Sequence, residues 1–202
     1  MMIPEKDDLS CYLENHSYLQ MQHPAIQAVC HRLFNHTDTE WSMIQKGFQF
    51  VLEEIEHSWD IQNHDITISA TDVLALGHGI CYAKSNLLAA ILRCMGIPTG
   101  FCYQKLLLFN ETDGRYCIHA LNAVFLKSQN KWLRLDARGN KTGVQAACLP
   151  NQEKLAFVPQ LDLGEIDYPI IYSEPNLLTM LALEQATDTL EMYLNDLPET
   201  LF

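Results

Sequence analysis

One cysteine stands where the sequence favours nucleophilic chemistry. Cys81 follows the predicted turn Gly77-His78-Gly79 and opens an apolar segment, 81–95, that has helical spacing and stops at Gly96. The first turn of a helix has unpaired N–H groups, which stabilise a thiolate and point to where an oxyanion would form. The flanking glycines allow a substrate backbone to approach closely. We therefore predict that Cys81 is a nucleophile.

A thiol nucleophile needs a base, and a predicted hairpin selects one of the eight histidines. If residues 127–130 form its loop, Leu126 pairs with Lys131, and the continued ladder places His119 diagonally opposite Asp136 on one face. A slip of one residue would put the two side chains on opposite faces. We predict a catalytic triad in which His119 serves Cys81 as base and acid, and Asp136 orients His119.

Other charged or polar residues near these positions leave alternatives open. His78 is a rival base because it lies three residues before Cys81, although the role of a polar turn residue is favoured. Arg134 and Arg138 flank Asp136 in the predicted hairpin. They either bind a substrate carboxylate or balance local acids, and the sequence does not choose between these roles.

The second donor to an oxyanion is also left open. Trp41, Trp59 and Asn63 are upstream candidates, and spacing does not select one. The short motif Cys117-Ile-His119 has no second ligand pair nearby at the spacing of a zinc site. We therefore expect neither a metal nor an organic cofactor.

Helices and strands that would position these residues are readable from hydrophobic periodicity. The order is a helical layer, a central helix, antiparallel strands, and a last strand and helix, which is an α+β architecture. In the central helix, Lys84 and Arg93 are expected on a solvated stripe. The predicted helices are 24–34, 39–55, 70–76, 81–95 and 176–194, and the strands are 99–109, 116–126, 131–135 and 168–172, with loops at 110–114 and 138–143.

Composition limits the class of protein. The chain has 202 residues, of which 48% are hydrophobic and 19% charged, so a single folded domain over 1–202 is expected. A net charge of −12 argues against nucleic-acid and membrane-surface partners. The first residues contain no apolar signal segment, which predicts a cytoplasmic protein, and seven cysteines without a C-x-x-C pair are expected to be free thiols.

Three blocks of sequence resemble a known family. Gly-His-Gly-Ile-Cys81-Tyr-Ala-Lys-Ser, then His119, then Trp132-Leu-Arg-Leu-Asp136 occur in the order found in bacterial cysteine peptidases of the transglutaminase-like superfamily. The resemblance covers residues 69–143. It implies a papain-like core with the nucleophile on a central helix packed on a small antiparallel sheet, with added N-terminal helices (1–68) and a C-terminal strand and helix (144–202).

The resemblance also implies a function. It predicts a hydrolase that cleaves a peptide, protein or small amide substrate through an acyl-thioester on Cys81. Acyl transfer to an amine is the alternative, because it shares every step up to the acyl-enzyme, and an inert binding module is the third. Many members carry an aromatic residue in a His-x-Trp pattern, whereas this chain has Leu121 at that position, so the wall beside His119 is expected to differ.

Overall fold

The computed structural model describes residues 2–110 and 114–202, and the predicted loop 110–114 therefore lies partly outside the described residues. No helix in the described part is both long and apolar enough to cross a membrane. The helices in these ranges are α1 (Pro24–Leu33), α2 (Glu40–Glu53), α3 (Ala70–Leu76), α4 (Cys81–Cys94), α5 (Leu177–Gln185) and α6 (Thr189–Asn195). The strands are β1 (Ile3–Pro4), β2 (Glu56–His57), β3 (His78–Gly79), β4 (Thr99–Leu107), β5 (Tyr116–Leu126), β6 (Lys131–Leu135), β7 (Ala147–Leu149), β8 (Gln152–Lys154), β9 (Ile166–Asp167) and β10 (Ile170–Ile171).

Three of the predicted strands, now β4, β5 and β6, form an antiparallel sheet with the order β6-β5-β4-β9, in which β9 was not predicted. Leu126 pairs with Lys131, which confirms the predicted hairpin register, and the ladder continues to the pair of Asn122 and Leu135. The residue that follows β6 is Asp136. The four-residue loop 127–130 fixes this register, because the length of a hairpin loop determines which residues of its two strands pair.

Helix α4 is the central helix, as predicted. Every residue from Cys81 to Arg93 is buried. On its helical side α4 contacts α2 and α3, and on the other it contacts β5. The approach to α2 is close, since a Cβ on Gly47 would lie 2.9 Å from Cδ2 of Leu92. Burial of each large aliphatic side chain contributes about 1.5–3 kcal/mol, so this packing holds the start of α4 in place.

The prediction that Lys84 and Arg93 lie on a solvated stripe is wrong. Lys84 is 1% exposed and its Nζ donates a hydrogen bond to the carbonyl of Ile55. Burial lowers the pKa of Lys84 to about 7. Arg93 is also buried, and its guanidinium donates to the carbonyls of Thr99 and Ser173 at 2.6 Å each. The carbonyls of Ile55, Thr99 and Ser173 are buried next to α4 and need hydrogen-bond donors, which these two long side chains supply.

The C-terminal helix predicted over 176–194 is interrupted. It forms two helices, because the carboxylate of Asp188 accepts hydrogen bonds from the N–H groups of Leu190 and Glu191 and so caps a new helix. Apolar periodicity continues across the break, so the pattern alone did not reveal it. The predicted strand 168–172 is shorter and pairs with β1 as β10.

Candidate active site

Cys81 is the first residue of α4 and is 8% exposed. The preceding helix α3 has the predicted limits 70–76, with an N-cap at Ser69 and an end at Gly77, whose φ of 74° lies in the left-handed region. Ile80 occupies the N-cap of α4, and no described side chain caps that end. The first N–H groups of α4 are thus free to stabilise negative charge on the Cys81 sulfur or on an adjacent oxygen.

Between α3 and α4 the chain forms a strand where the sequence predicted a turn. In β3, Gly79 pairs with His57 of β2, and the two strands run parallel. His78 is 2% exposed, with Nδ1 2.9 Å from Oγ of Ser58. The prediction of His78 as a polar turn residue is therefore wrong, since His78 is a buried strand residue. The sequence did not show this, because its pairing partner, Glu56, lies 22 residues upstream and leaves no local pattern.

His119 and Asp136 are brought together as the hairpin register predicts. Nε2 of His119 lies 2.8 Å from Oδ2 of Asp136, and both side chains are buried. Asp136 also accepts hydrogen bonds from the backbone N–H groups of Arg138 at 3.3 Å and Ala156 at 3.0 Å. These contacts fix the carboxylate, and the carboxylate in turn fixes the imidazole.

The start of α4 is tied directly to β5. Tyr82, next to Cys81, donates its hydroxyl hydrogen to the carbonyl of Ile118, next to His119, over 2.7 Å. This bond holds the Cys81 end of the helix beside His119. Because Asp136 engages Nε2 of His119, Nδ1 is the ring nitrogen left for the Cys81 thiol.

The buried site favours a charged histidine. Burial by itself would lower the pKa of His119, but the charges of Asp136 and Cys81 and the hydrogen bonds to them raise it to about 10. Burial would raise the pKa of Asp136, but the adjacent His119 lowers it. The pair therefore exists as imidazolium and carboxylate near neutral pH, which is an arrangement that stabilises a neighbouring thiolate.

A cavity of about 410 Å³ opens at these residues, a size that suits a small ligand or part of a peptide. Its walls come from the segment 57–59, the start of α4, the end of β4, the start of β5, the loop 138–144, the segment 156–160 and the end of α6. Cys81 and His119 both line it, whereas His78 is not among its described lining residues. His78 thus lies outside the cavity wall that the described residues form.

The family model of the transglutaminase-like superfamily matches residues 27–137, which is more than half of the chain. The chain belongs to the transglutaminase-like superfamily. The match begins in α1 and ends just after Asp136, so it spans all three predicted site residues.

Two solved structures resemble this superfamily member at low identity. A "putative cysteine protease" from Cytophaga hutchinsonii has a TM-score of 0.50 and 18% identity, and the match covers 66% of this chain and 43% of that one. A "putative protease" from Parabacteroides distasonis has a TM-score of 0.39 and 14% identity, covering 62% of this chain and 25% of that one. The chain spans less than half the length of either protein. No curated protein matches it.

The first of these likenesses supports the fold alone, and the fold agrees with the predicted α+β class. An aromatic side chain does flank His119. Phe157, from the segment 156–160, packs edge-on against the His119 ring with centroids 5.0 Å apart and an interplanar angle of 83°. The expected difference from other superfamily members at Leu121 stays a prediction.

The three predicted candidates for an oxyanion donor have different surroundings. Trp59 lines the cavity and stacks on Tyr193, with centroids 4.6 Å apart and an interplanar angle of 15°. The side chain of Asn63 accepts a hydrogen bond from the N–H of Asp65 in a loop. Trp41 packs against the core from α2. Of the three, Trp59 alone is a described cavity residue.

A fourth residue, His57, was not found by sequence reasoning. It is 3% exposed, lines the cavity, and has no partner for Nδ1 among the described residues. Burial, and next the charge of Arg138, hold its pKa well below the ordinary value, so the imidazole is neutral. Its position depends on the pairing of β2 with β3, and no motif in the sequence signals that pairing.

The two arginines near Asp136 separate into different roles. Arg134 binds Glu153 at 2.7 Å and Asp167 at 2.6 Å, so it balances local acids. Arg138 lines the cavity and forks onto Asp60, with Nη1 and Nη2 at 2.6 and 3.0 Å from the two carboxylate oxygens. Only Arg138 is positioned at the site.

Metal-ligand spacing was considered for Cys117 and His119. Within residues 2–110 and 114–202, no group of three metal-binding side chains is close enough to hold an ion. Cys117 lines the cavity, and burial raises its pKa to about 12. Near neutral pH, Cys117 is therefore a protonated thiol in the wall of the cavity.

Proposed function

We propose that this protein is a thiol-dependent hydrolase that cleaves an amide or peptide bond through an acyl-thioester on Cys81. The observation that carries the proposal is the buried pair of His119 and Asp136, joined over 2.8 Å, whose His119 lines one cavity together with a cysteine at a helix N-terminus. Cysteine, histidine and aspartate in this arrangement form the working unit of thiol acyl-transfer enzymes.

The chemistry proceeds in two displacements. The Cys81 thiolate attacks the substrate carbonyl carbon, a C–S bond forms, and the carbonyl oxygen becomes an oxyanion. As the oxyanion collapses, the C–N bond breaks and the His119 imidazolium gives its proton to the leaving amine. Water then attacks the thioester while His119 removes its proton, and the C–S bond breaks to release a carboxylic acid. Asp136 holds the imidazole and stabilises its charged form.

Two donors face the oxyanion in this proposal. One is the backbone N–H at the start of α4, which receives no side-chain cap. The other is His57, whose neutral imidazole carries one N–H and contributes to the cavity wall. A neutral donor suits this role because it does not compete with His119 for the proton in the reaction.

Acylation by an activated ester tests the proposed function. With p-nitrophenyl acetate, we expect a burst of about one equivalent of p-nitrophenolate and an acetyl group on Cys81 by peptide mass spectrometry. Adding a primary amine then distinguishes the next step, because an acyl transferase forms the amide faster than it forms acetate. Absence of an acetylated Cys81 in folded protein would contradict an acyl-enzyme mechanism and favour an inert module.

His57→Phe is expected to slow this acylation about 10²- to 10³-fold, because one oxyanion donor is removed. Alkylation of Cys81 by iodoacetamide forms no oxyanion, so its rate should change less than about twofold. His57→Gln keeps an N–H donor and should recover part of the acylation rate. The exposed His36→Phe serves as the matched control. Equal losses in both reactions would mean that His57 acts on the thiol or on folding instead.

A further inference from the structure

One wall of the cavity carries two cations that share a single carboxylate. Arg138 forks onto Asp60, and Nζ of Lys141 lies 2.6 Å from Oδ1 of the same Asp60. Arg138 and Lys141 both line the cavity. The Lys141 side chain is 43% exposed, whereas that of Arg138 is 4% exposed. Lys141 is thus the accessible member of the pair.

The charges on this wall do not cancel. Two positive groups face one negative group, in a protein whose net charge is −12. An ammonium group has three N–H donors, and Asp60 takes one of those of Lys141. Another carboxylate, Glu165, also lines the cavity and keeps its negative charge while it accepts hydrogen bonds from the N–H groups of Leu107 and Gln160 at 2.8 and 2.6 Å. On the wall itself, the cluster of Arg138, Lys141 and Asp60 has a net positive charge, and Lys141 has N–H donors left for an anionic group.

This wall lies close to the proposed nucleophile. The backbone N–H of Arg138 donates to Asp136, the partner of His119. Burial would lower the pKa of Arg138, but Asp60 raises it, so the guanidinium stays charged. Cys81, Arg138 and Lys141 all line the same cavity. An anion held at Lys141 would therefore share the cavity with the bond that Cys81 attacks.

Another part of the cavity is apolar and aromatic. Trp59 lies 5.2 Å from Phe109 and 4.6 Å from Tyr193 between ring centroids. Leu106 and Leu108 extend this surface from the end of β4. Such a surface fits an apolar side chain, because burial of apolar area drives its binding.

We propose that the cavity binds peptide-like amides that present an apolar side chain to the aromatic surface and a carboxylate to Lys141, beside the scissile bond. This inference rests on the proposed function and names its substrate class. The carboxylate is either a terminal α-carboxylate or an acidic side chain, which share the same chemistry at Lys141.

Two alkylating reagents that differ in charge test the anion site without a known substrate. Iodoacetate and iodoacetamide react with Cys81 in the same way, with C–S bond formation and loss of iodide. In wild type, the ratio of the iodoacetate to the iodoacetamide rate should exceed that of free cysteine in the same buffer. Because the His119 imidazolium also attracts an anion, the deciding variant is Lys141→Gln, in which the ratio should fall about three- to tenfold.

Lys127→Gln removes an equal charge at the hairpin loop and should leave the ratio at the wild-type value. A ratio that is unchanged in Lys141→Gln would overturn the carboxylate site. Slow reaction of Cys81 with both reagents would instead overturn the proposed function. The two failures are therefore distinguishable.

Capped dipeptides distinguish the sources of the carboxylate by protecting Cys81 from iodoacetamide. N-acetylphenylalanylalanine should protect at lower concentration than its C-terminal amide, and Lys141→Gln should remove that difference. Stronger protection by N-acetylphenylalanylaspartate amide than by the first peptide would assign the site to an acidic side chain. Equal protection by all three would overturn the inference.

Discussion

Cys81→Ala is expected to abolish both acylation by p-nitrophenyl acetate and labelling by thiol-directed probes. The loss in turnover should be about 10⁴-fold or more, because the variant lacks the thiol that forms the thioester in the proposed mechanism. The fold should survive, since alanine suits the first turn of α4 and the packing of that helix depends on residues further along. Circular dichroism and urea unfolding of the variant measure that survival.

Two other cysteines provide controls for this result. Cys117 lines the same cavity, and Cys94 lies at the far end of α4 with its sulfur 3.4 Å from the carbonyl of Met21. Cys94→Ala and Cys117→Ala should each keep the acetyl label on Cys81. Label retained in Cys81→Ala, and lost in Cys117→Ala, would move the nucleophile to Cys117.

Loss of the His119–Asp136 pair is expected to have the second largest effect. His119→Ala should lower turnover about 10³- to 10⁴-fold, because it removes both proton transfer and the charge that stabilises the thiolate. Asp136→Asn should also be severe, and the double variant should be little worse than the more damaging single one, because the two act as a unit. Additive losses, or a larger loss in His78→Ala than in His119→Ala, would contradict this assignment.

The titration of His119 measures directly whether Asp136 supports its charged form. In wild type, NMR of the imidazole should show a pKa of about 10, far above the ordinary 6.5. The interaction then stabilises the fold in full below about pH 6.5 and is lost as the pH rises through about 10. In Asp136→Asn, the carboxylate charge that offsets the effect of burial is absent, so the pKa of His119 should fall. An unchanged pKa would show that Asp136 does not support the charge.

The sequence by itself determined the residues that meet at the hairpin and the start of the central helix. Both depend on local signals. The loop after Leu126 fixes which residues of β5 and β6 pair, so the approach of His119 to Asp136 followed from counting along two strands. The predicted helix 70–76 has the observed limits of α3, because its N-cap Ser69 and the left-handed Gly77 act within one turn of the chain. The catalytic roles of these residues stay predictions.

Only the tertiary structure decided which polar groups are buried around the site. Lys84 and Arg93 looked like surface residues in α4, yet both are buried, because carbonyls from distant segments need donors there. His57 lies at the cavity because the short strands β2 and β3 pair in parallel. Lys141 and Arg138 lie side by side because both bind the carboxylate of Asp60, which comes from an upstream loop. Such contacts join residues that are far apart in the chain, and neither propensity nor periodicity carries information over that distance.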